Sequence, residues 1–115
     1  MTVHSKLGSG FPEVIYQRAM AIEMDREGLE NKSEVTMPIF YDNIKIGTRR
    51  LDSFVENKVL VEYKATSELN NNHLAQAINY LEAFNLNIGL LINFGAKSLE
   101  FKRVINSKIS EKLTT

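Results

Sequence analysis

The sequence contains no cysteine, no long apolar run and no excess of charge of either sign. Without cysteine, the chain can form neither a disulfide nor a cysteine-ligated zinc site. No segment approaches the roughly 20 apolar residues of a membrane span. The N-terminal stretch MTVHSKLGSGFPEV lacks the apolar core of a signal peptide. We therefore expect a cytoplasmic protein that does not contact a membrane.

The 14 basic and 14 acidic residues cancel. This balance argues against a strong non-specific DNA binder, which normally carries a basic face. It is compatible with an enzyme that acts on nucleic acid, because acidic residues gathered around a divalent cation can form an attractive site for phosphate. The length of 115 residues fits a single domain with its own core, covering residues 1–115 without repeats or linkers.

Hydrophobic periodicity predicts the element order α-β-β-β-α-β-β. Residues 11–30 predict the first helix, with Gly28 as its C-cap. Its apolar positions are a stripe of Ile15, Ala19 and Ile22, with the core candidates Met20 and Met24 beside it. Residues 34–65 predict three strands, in which Asp42 and Asn43 are turn formers and Pro38 marks an edge strand or an interruption.

The second half of the chain predicts one more helix and two more strands. Residues 70–85 predict the helix, and one of the asparagines at 70–72 should cap it. Residues 87–94 predict a strand buried on both faces, and residues 98–105 predict the last strand. Residues 106–115 are polar and predict a frayed end or a short helix. The fold class is therefore α+β, with a central mixed β-sheet flanked by helices.

An acidic cluster follows from the hairpin between the second and third strands. If its centre is Asn57, residues whose numbers sum to 114 face each other, so Asp52 lies opposite Glu62 and Lys64 shares their face. Opposed carboxylates are destabilising unless a cation compensates them, and their hard oxygens suit Mg²⁺ or Mn²⁺. The peptide carbonyl of Tyr63 could add a ligand. A solvated surface pair of Glu62 and Lys64 explains this pattern equally well.

Asp52 followed by Glu62-Tyr63-Lys64 resembles the PD-(D/E)XK nuclease pattern, which has an acid on one strand and acid-x-Lys on the next. That resemblance implies a restriction-endonuclease-like core. The pattern is named for a proline before its first acid, and in this chain Leu51 occupies that position.

The segment GFPEVIY resembles the motif that names the small bacterial GxxExxY family, through Gly10, Glu13 and Tyr16. The stretches HLAQAINYL and GLLINFGAKSLEFKRVI also resemble that family, which is grouped with the PD-(D/E)XK superfamily. The resemblance runs from about Leu7 to Ile105.

Specific roles follow from the resemblance alone. It implies that Asp52 and Glu62 bind the metal and that Glu13, on the first helix, binds it directly or through water. Lys64 would orient or activate the attacking water. Gln76, on the second helix, would hydrogen-bond the lysine or a phosphate.

Four other side chains have two interpretations each. Tyr16 is either a site residue or a core aromatic with a wet hydroxyl. His73 is either a substrate contact or a surface residue near the helix start. Arg49 and Arg50 are either phosphate contacts or part of a solvated edge.

The function these features indicate is a metal-dependent nuclease that hydrolyses the phosphodiester bonds of DNA or RNA. The alternative is a catalytically silent nuclease-like module that binds nucleic acid or a protein partner. A third interpretation treats the acidic cluster as a satisfied polar network. A chain this small has little extra length to grip a duplex, so an active form would need a homodimer or a protein partner.

Overall fold

The structure is a computed structural model and describes residues 2–109. Its elements are α1 (Thr2–Leu7), α2 (Glu13–Arg26), β1 (Asn31–Tyr41), β2 (Ile44–Val55), β3 (Val59–Lys64), α3 (Asn71–Ala83), β4 (Ile88–Asn93) and β5 (Glu100–Ile105). The five strands form one sheet in the order β1-β2-β3-β4-β5. β3 and β4 pair in parallel, and the other neighbours are antiparallel. The predicted mixed sheet with flanking helices is confirmed.

Helix α1 was not predicted. It has six residues, which is too short for an apolar period to be recognised. Its one buried side chain is Val3, and the His4 Nε2 lies 3.0 Å from the carbonyl oxygen of Ala96. These tertiary contacts hold α1 against the rest of the chain, because so short a helix is unstable alone.

The predicted apolar stripe of α2 is wrong at one of its three positions, Ile22. The helix buries Tyr16, Met20 and Met24, whereas Ile22 is 53% exposed. Apolar side chains lie on several sides of this helix, so periodicity alone could not select the buried side. The assignment of Met20 and Met24 to the core is confirmed. Gly28 follows the helix with φ +73°, the left-handed conformation that glycine adopts without strain at this position.

Each face of the sheet has its own core. The α2-side cluster consists of Val3, Tyr16, Met20, Met24, Val55, Val61, Tyr63, Ile92 and Phe94. The α3-side cluster consists of Leu51, Leu60, Ala77, Leu81, Phe84 and Val104. Strand β4 contributes to the packing on both faces, which explains why its sequence is almost continuously apolar.

Two tight turns fix the register of the first three strands. Asp42 and Asn43 both have positive φ, as do Glu56 and Asn57, and two such residues are typical of a type I′ hairpin turn. The second turn pairs residues 53–55 with residues 59–61 in the predicted register, in which residue numbers sum to 114.

Pro38 lies on β1, an edge strand, as predicted.

The C-terminal prediction can be compared with the structure only in part. Residues 107–109 are helical. Residues 110–115 lie outside the described residues. Among residues 2–109, no helix is long and apolar enough to cross a membrane.

Candidate active site

The candidate site lies where β2 leaves β3. The pairing of the two strands includes Ser53–Val55 of β2. Val55 packs in the α2-side cluster, whereas Leu51 packs in the α3-side cluster, so β2 changes its orientation between them. Asp52 occupies this point of departure, where backbone groups of both strands need new hydrogen-bond partners.

Two carboxyl groups supply those partners. The Tyr63 N–H donates to Asp52 Oδ2 at 2.8 Å, and the Asp52 N–H donates to Glu62 Oε1 at 3.4 Å. Side chains therefore continue the ladder between the two strands. As a result, Asp52 and Glu62 are held close together by the backbone of their own hairpin.

Glu62 is held in an environment that disfavours its negative charge. The residue is 8% exposed, and burial together with the neighbouring Asp52 raises the pKa of its carboxyl from 4.5 to about 9. Asp52 contributes through its charge and through a hydrogen bond between the two carboxyl groups, and the charge of Lys64 opposes the rise. Without an added cation, Glu62 therefore carries a proton at neutral pH.

This pair fits a divalent cation. Two adjacent carboxyl groups offer the hard oxygen ligands that Mg²⁺ and Mn²⁺ prefer. A bound cation would also favour the ionised form of Glu62, which burial and Asp52 together disfavour. The chemistry of the donors therefore agrees with the predicted metal.

Lys64 and Gln76 meet beside the carboxyl pair. Lys64 lies two residues after Glu62 on β3, so both point to the side of the sheet that α3 covers. The Lys64 Nζ donates to Gln76 Oε1 at 3.3 Å, and Gln76 is on the exposed side of α3. Strand β3 thus positions the ammonium group of Lys64 next to the acidic pair. The amide of Gln76, on helix α3, restricts the motion of the Lys64 side chain.

Glu13 lies on the first turn of α2, and its side chain is exposed. Among residues 2–109, no group of three or more His, Cys, Asp or Glu side chains could hold a metal ion together. Glu13 therefore does not form such a group with Asp52 and Glu62. A direct or water-mediated role for it stays a prediction, as does the ligand role of the Tyr63 carbonyl.

The side chain of Tyr63 lies on the face opposite the site. It is 1% exposed and packs in the α2-side cluster. Its Oη lies 3.0 Å from Ser53 Oγ, and burial raises the pKa of its phenol to about 12. This buried contact joins β2 to β3 one residue from each carboxyl group, which helps to fix the separation of the acidic pair.

The Asn93 network was missed by sequence reasoning. This fully buried side chain accepts hydrogen bonds from the N–H groups of Thr66 and Gly95, both at 3.0 Å. It donates to the Thr66 carbonyl at 3.0 Å and to Glu100 Oε1 at 2.8 Å. Glu100 also accepts from the Leu69 N–H at 3.1 Å. The network orders the segment from β3 to α3, the helix that carries Gln76. The sequence feature that could have indicated this network is the polar Asn93 within the apolar run NIGLLINF.

Tyr16 is a core residue. Its ring is fully buried and stacks on Phe94, with ring centroids 4.5 Å apart. Its hydroxyl donates to the Gly8 carbonyl at 2.7 Å and accepts from the Phe11 N–H at 3.1 Å. The hydroxyl thereby closes the loop between α1 and α2.

His73 has a structural role at the start of α3. Its N–H donates to Asn70 Oδ1 at 3.1 Å, and the Asn70 N–H donates to His73 Nδ1 at 3.2 Å. These two bonds form a reciprocal cap in which histidine takes the position usual for glutamate or glutamine. The predicted asparagine cap is therefore confirmed, and it is Asn70.

The chain is similar to known nucleases in sequence pattern and to a solved protein in fold. The profile of the PD-(D/E)XK nuclease superfamily matches residues 1–104. The crystal structure of SSO0001 superposes with a TM-score of 0.64 at 17% identity, over 89% of this chain and 56% of that one. This chain thus corresponds to little more than half of that protein. No curated protein matches the chain. Because the superfamily profile covers most of its length, the chain belongs to the PD-(D/E)XK nuclease superfamily.

Proposed function

We propose that this protein is a divalent-metal-dependent nuclease that hydrolyses phosphodiester bonds in DNA or RNA. The observation that supports this most directly is the pairing of Asp52 with a buried Glu62 whose pKa is raised to about 9. Two adjacent carboxyl groups, one of them buried, would destabilise a purely structural network, and a bound cation would offset their unfavourable charge. PD-(D/E)XK nucleases in general use divalent metals, and we propose Mg²⁺ or Mn²⁺ for this one.

Each polar side chain of the site has a role in this proposal. Asp52 and Glu62 would hold the metal, with the Tyr63 carbonyl as a further ligand and Glu13 acting through water. When bound, the metal would lower the pKa of a water ligand and neutralise charge on the phosphate. Lys64 would orient the attacking water and stabilise the charge that develops on the phosphate oxygens. Gln76 would hold Lys64 in position through their 3.3 Å hydrogen bond.

Calorimetry with Mg²⁺ and Mn²⁺, followed by cleavage assays on single- and double-stranded DNA and RNA, tests the proposal. Asp52→Asn should abolish metal binding and cleavage, because it replaces a carboxyl ligand of the metal with an amide. Lys64→Met should keep metal binding but reduce cleavage by on the order of 10²–10³-fold, the usual effect of losing one charge-stabilising group. Glu27→Gln, which removes an exposed carboxylate at the end of α2, is the matched control and should behave as wild type.

Circular dichroism would establish that each variant is folded. If the folded wild type binds no metal even with an oligonucleotide present, the proposal is wrong. Cleavage that persists in Asp52→Asn would also contradict it.

A catalytically silent nuclease-like module is the alternative. Among residues 2–109 no third His, Cys, Asp or Glu side chain joins the acidic pair in a metal-holding group, which favours this alternative. Such a module would bind nucleic acid or a protein partner, and its binding would survive Asp52→Asn. Retained binding without any cleavage would identify it.

We further assign the chain to the bacterial GxxExxY family, on the matches at Gly10, Glu13 and Tyr16. We treat residues 1–115 as one nuclease-like domain acting in the cytoplasm, either as a homodimer or with a protein partner. Sedimentation of the purified chain would test the oligomeric state.

A further inference from the structure

The first two strands extend beyond the rest of the sheet. Residues 35–41 and 44–51, with the turn between them, form a two-stranded ribbon that we call the hairpin arm. β1 and β2 pair along the arm, whereas the pairing of β2 with β3 involves only residues 53–55 within the described chain. The arm therefore projects past the point where Asp52 lies.

The tip of the arm is apolar and exposed. Phe40, Tyr41, Ile44 and Ile46 are 60%, 68%, 67% and 64% exposed, respectively. The base of the arm differs, because Met37 and Ile39 pack against the α3-side cluster. Four large apolar side chains grouped at one exposed end mark an interaction surface rather than ordinary surface scatter.

The arm is basic in a chain of zero net charge. Residues 35–51 contain Lys45, Arg49, Arg50 and one acid, Asp42, which gives a net charge of +2. All three basic side chains are exposed. A positive segment that begins next to an acidic site is complementary to a phosphate polymer whose scissile bond lies at that site.

The spacing of these charges fits an extended ligand. At about 3.3 Å per residue, the backbone of Arg49 lies roughly 10 Å from Asp52 and that of Lys45 roughly 23 Å from it. The B-DNA major groove, about 12 Å wide, admits a two-stranded β-ribbon. Aromatic and aliphatic side chains at such a tip can contact bases or wedge between them. Arg49 and Arg50 are consecutive on β2 and therefore point to opposite faces of the ribbon. A ribbon lying in that groove can thus present one basic side chain towards each wall of phosphates.

We propose that the hairpin arm grips double-stranded DNA beside the candidate active site. Arg49, Arg50 and Lys45 contact phosphates, and the apolar tip enters a groove. This inference rests on the proposed function, because it assigns the surface that holds the substrate of that site. The small size of the domain indicates that a partner is needed to hold a duplex. The hairpin arm would instead supply that contact surface within a single chain.

Binding of a labelled DNA duplex, measured by fluorescence anisotropy in EDTA so that no cleavage occurs, tests the proposal. The double variant Arg49→Gln/Arg50→Gln should weaken binding at least tenfold and reduce the slope of log K against log[salt] by about 1.8, or 0.9 per lost phosphate contact. The matched control is Lys102→Gln/Arg103→Gln, which removes two exposed basic side chains from β5 at the opposite edge of the sheet. This control should bind as wild type.

The tip is tested separately with Phe40→Ser/Ile44→Ser. This variant should weaken duplex binding while leaving the salt slope unchanged, because it removes apolar contacts and no charge. Single-stranded oligonucleotide of the same sequence should bind the wild type more weakly than the duplex does.

Several outcomes would overturn the proposal. One is an equal loss of affinity in the arm and β5 double variants, which would indicate non-specific attraction. Another is a tip variant that converts a dimer to a monomer in sedimentation but binds duplex normally, which would make the tip a protein interface. A wild type that binds no duplex also overturns it. Failure of the arm is distinguishable from failure of the site, because the arm variants should keep the metal binding that Asp52→Asn loses.

Discussion

Neutralising Glu62 should change how stability depends on pH. In the metal-free protein the pKa of this carboxyl is raised from 4.5 to about 9 by burial and by Asp52. Between these two values the folded state holds a proton that the unfolded state has released. The contribution of this bound proton to the free energy of unfolding is therefore fully present below pH 4.5 and is lost as pH rises towards 9. Glu62→Gln replaces the protonated acid by a neutral amide of the same shape and should remove this loss.

The size of the effect follows from the shift. Each pH unit within this window costs about 1.4 kcal/mol of the free energy of unfolding, so two units, from pH 6 to pH 8, cost about 3 kcal/mol. The whole shift would correspond to a ceiling of about 6 kcal/mol. A domain of ordinary stability has about 5–15 kcal/mol in total, so the loss would be a large fraction of it.

Urea denaturation at a series of pH values in EDTA, for wild type and Glu62→Gln, measures the difference. The two proteins should have similar stability near pH 5, and the variant should be more stable by about 4 kcal/mol at pH 8. Glu27→Gln, at an exposed position, should follow the wild type throughout. Parallel curves for wild type and Glu62→Gln would refute the reasoning, since they would mean that Glu62 ionises as easily in the folded protein as in the unfolded one.

Two further substitutions test the parts of the fold that hold the site. Tyr16→Phe removes both hydrogen bonds to the segment Gly8–Phe11 and should cost about 1–3 kcal/mol in denaturant unfolding; Tyr41→Phe, on an exposed ring, should cost nothing measurable. Asn93→Ala removes four hydrogen bonds of a buried amide and should cost about 3–5 kcal/mol, against no change for the exposed Asn79→Ala. A Tyr16→Phe or Asn93→Ala protein as stable as its control would contradict these assignments.

The acidic pair could be predicted because it depends on local rules. A three-residue loop, 56–58, with positive φ at Glu56 and Asn57, fixes the register of its hairpin. A period of two then decides which side chains share a face. Asp52 and Glu62 follow from those two facts. The contact between Lys64 and Gln76 required the resemblance as well, because nothing local brings α3 to β3.

Other features depend on tertiary contacts that one sequence does not display. Ile22 was wrongly included in the apolar stripe of α2, because Ile22 and Met20 are both apolar and only the packing against the sheet distinguishes them. Two of the four bonds of Asn93 join it to Thr66, which lies 27 residues earlier in the chain. The projection of the hairpin arm depends on where β3 ends, and no pattern within residues 35–51 indicates that.

The attachment of the hairpin arm has a consequence for variation in its length. Its two strands pair with each other beyond the point at which β2 leaves β3. Residues can therefore be inserted or removed at the Asp42–Asn43 turn without moving the backbone at Asp52. Changes of one residue pair at a time exchange the two faces of the tip, and changes of two pairs restore them. The reach of this protein towards its ligand can thus vary in steps of about 7 Å while its acidic pair stays in place.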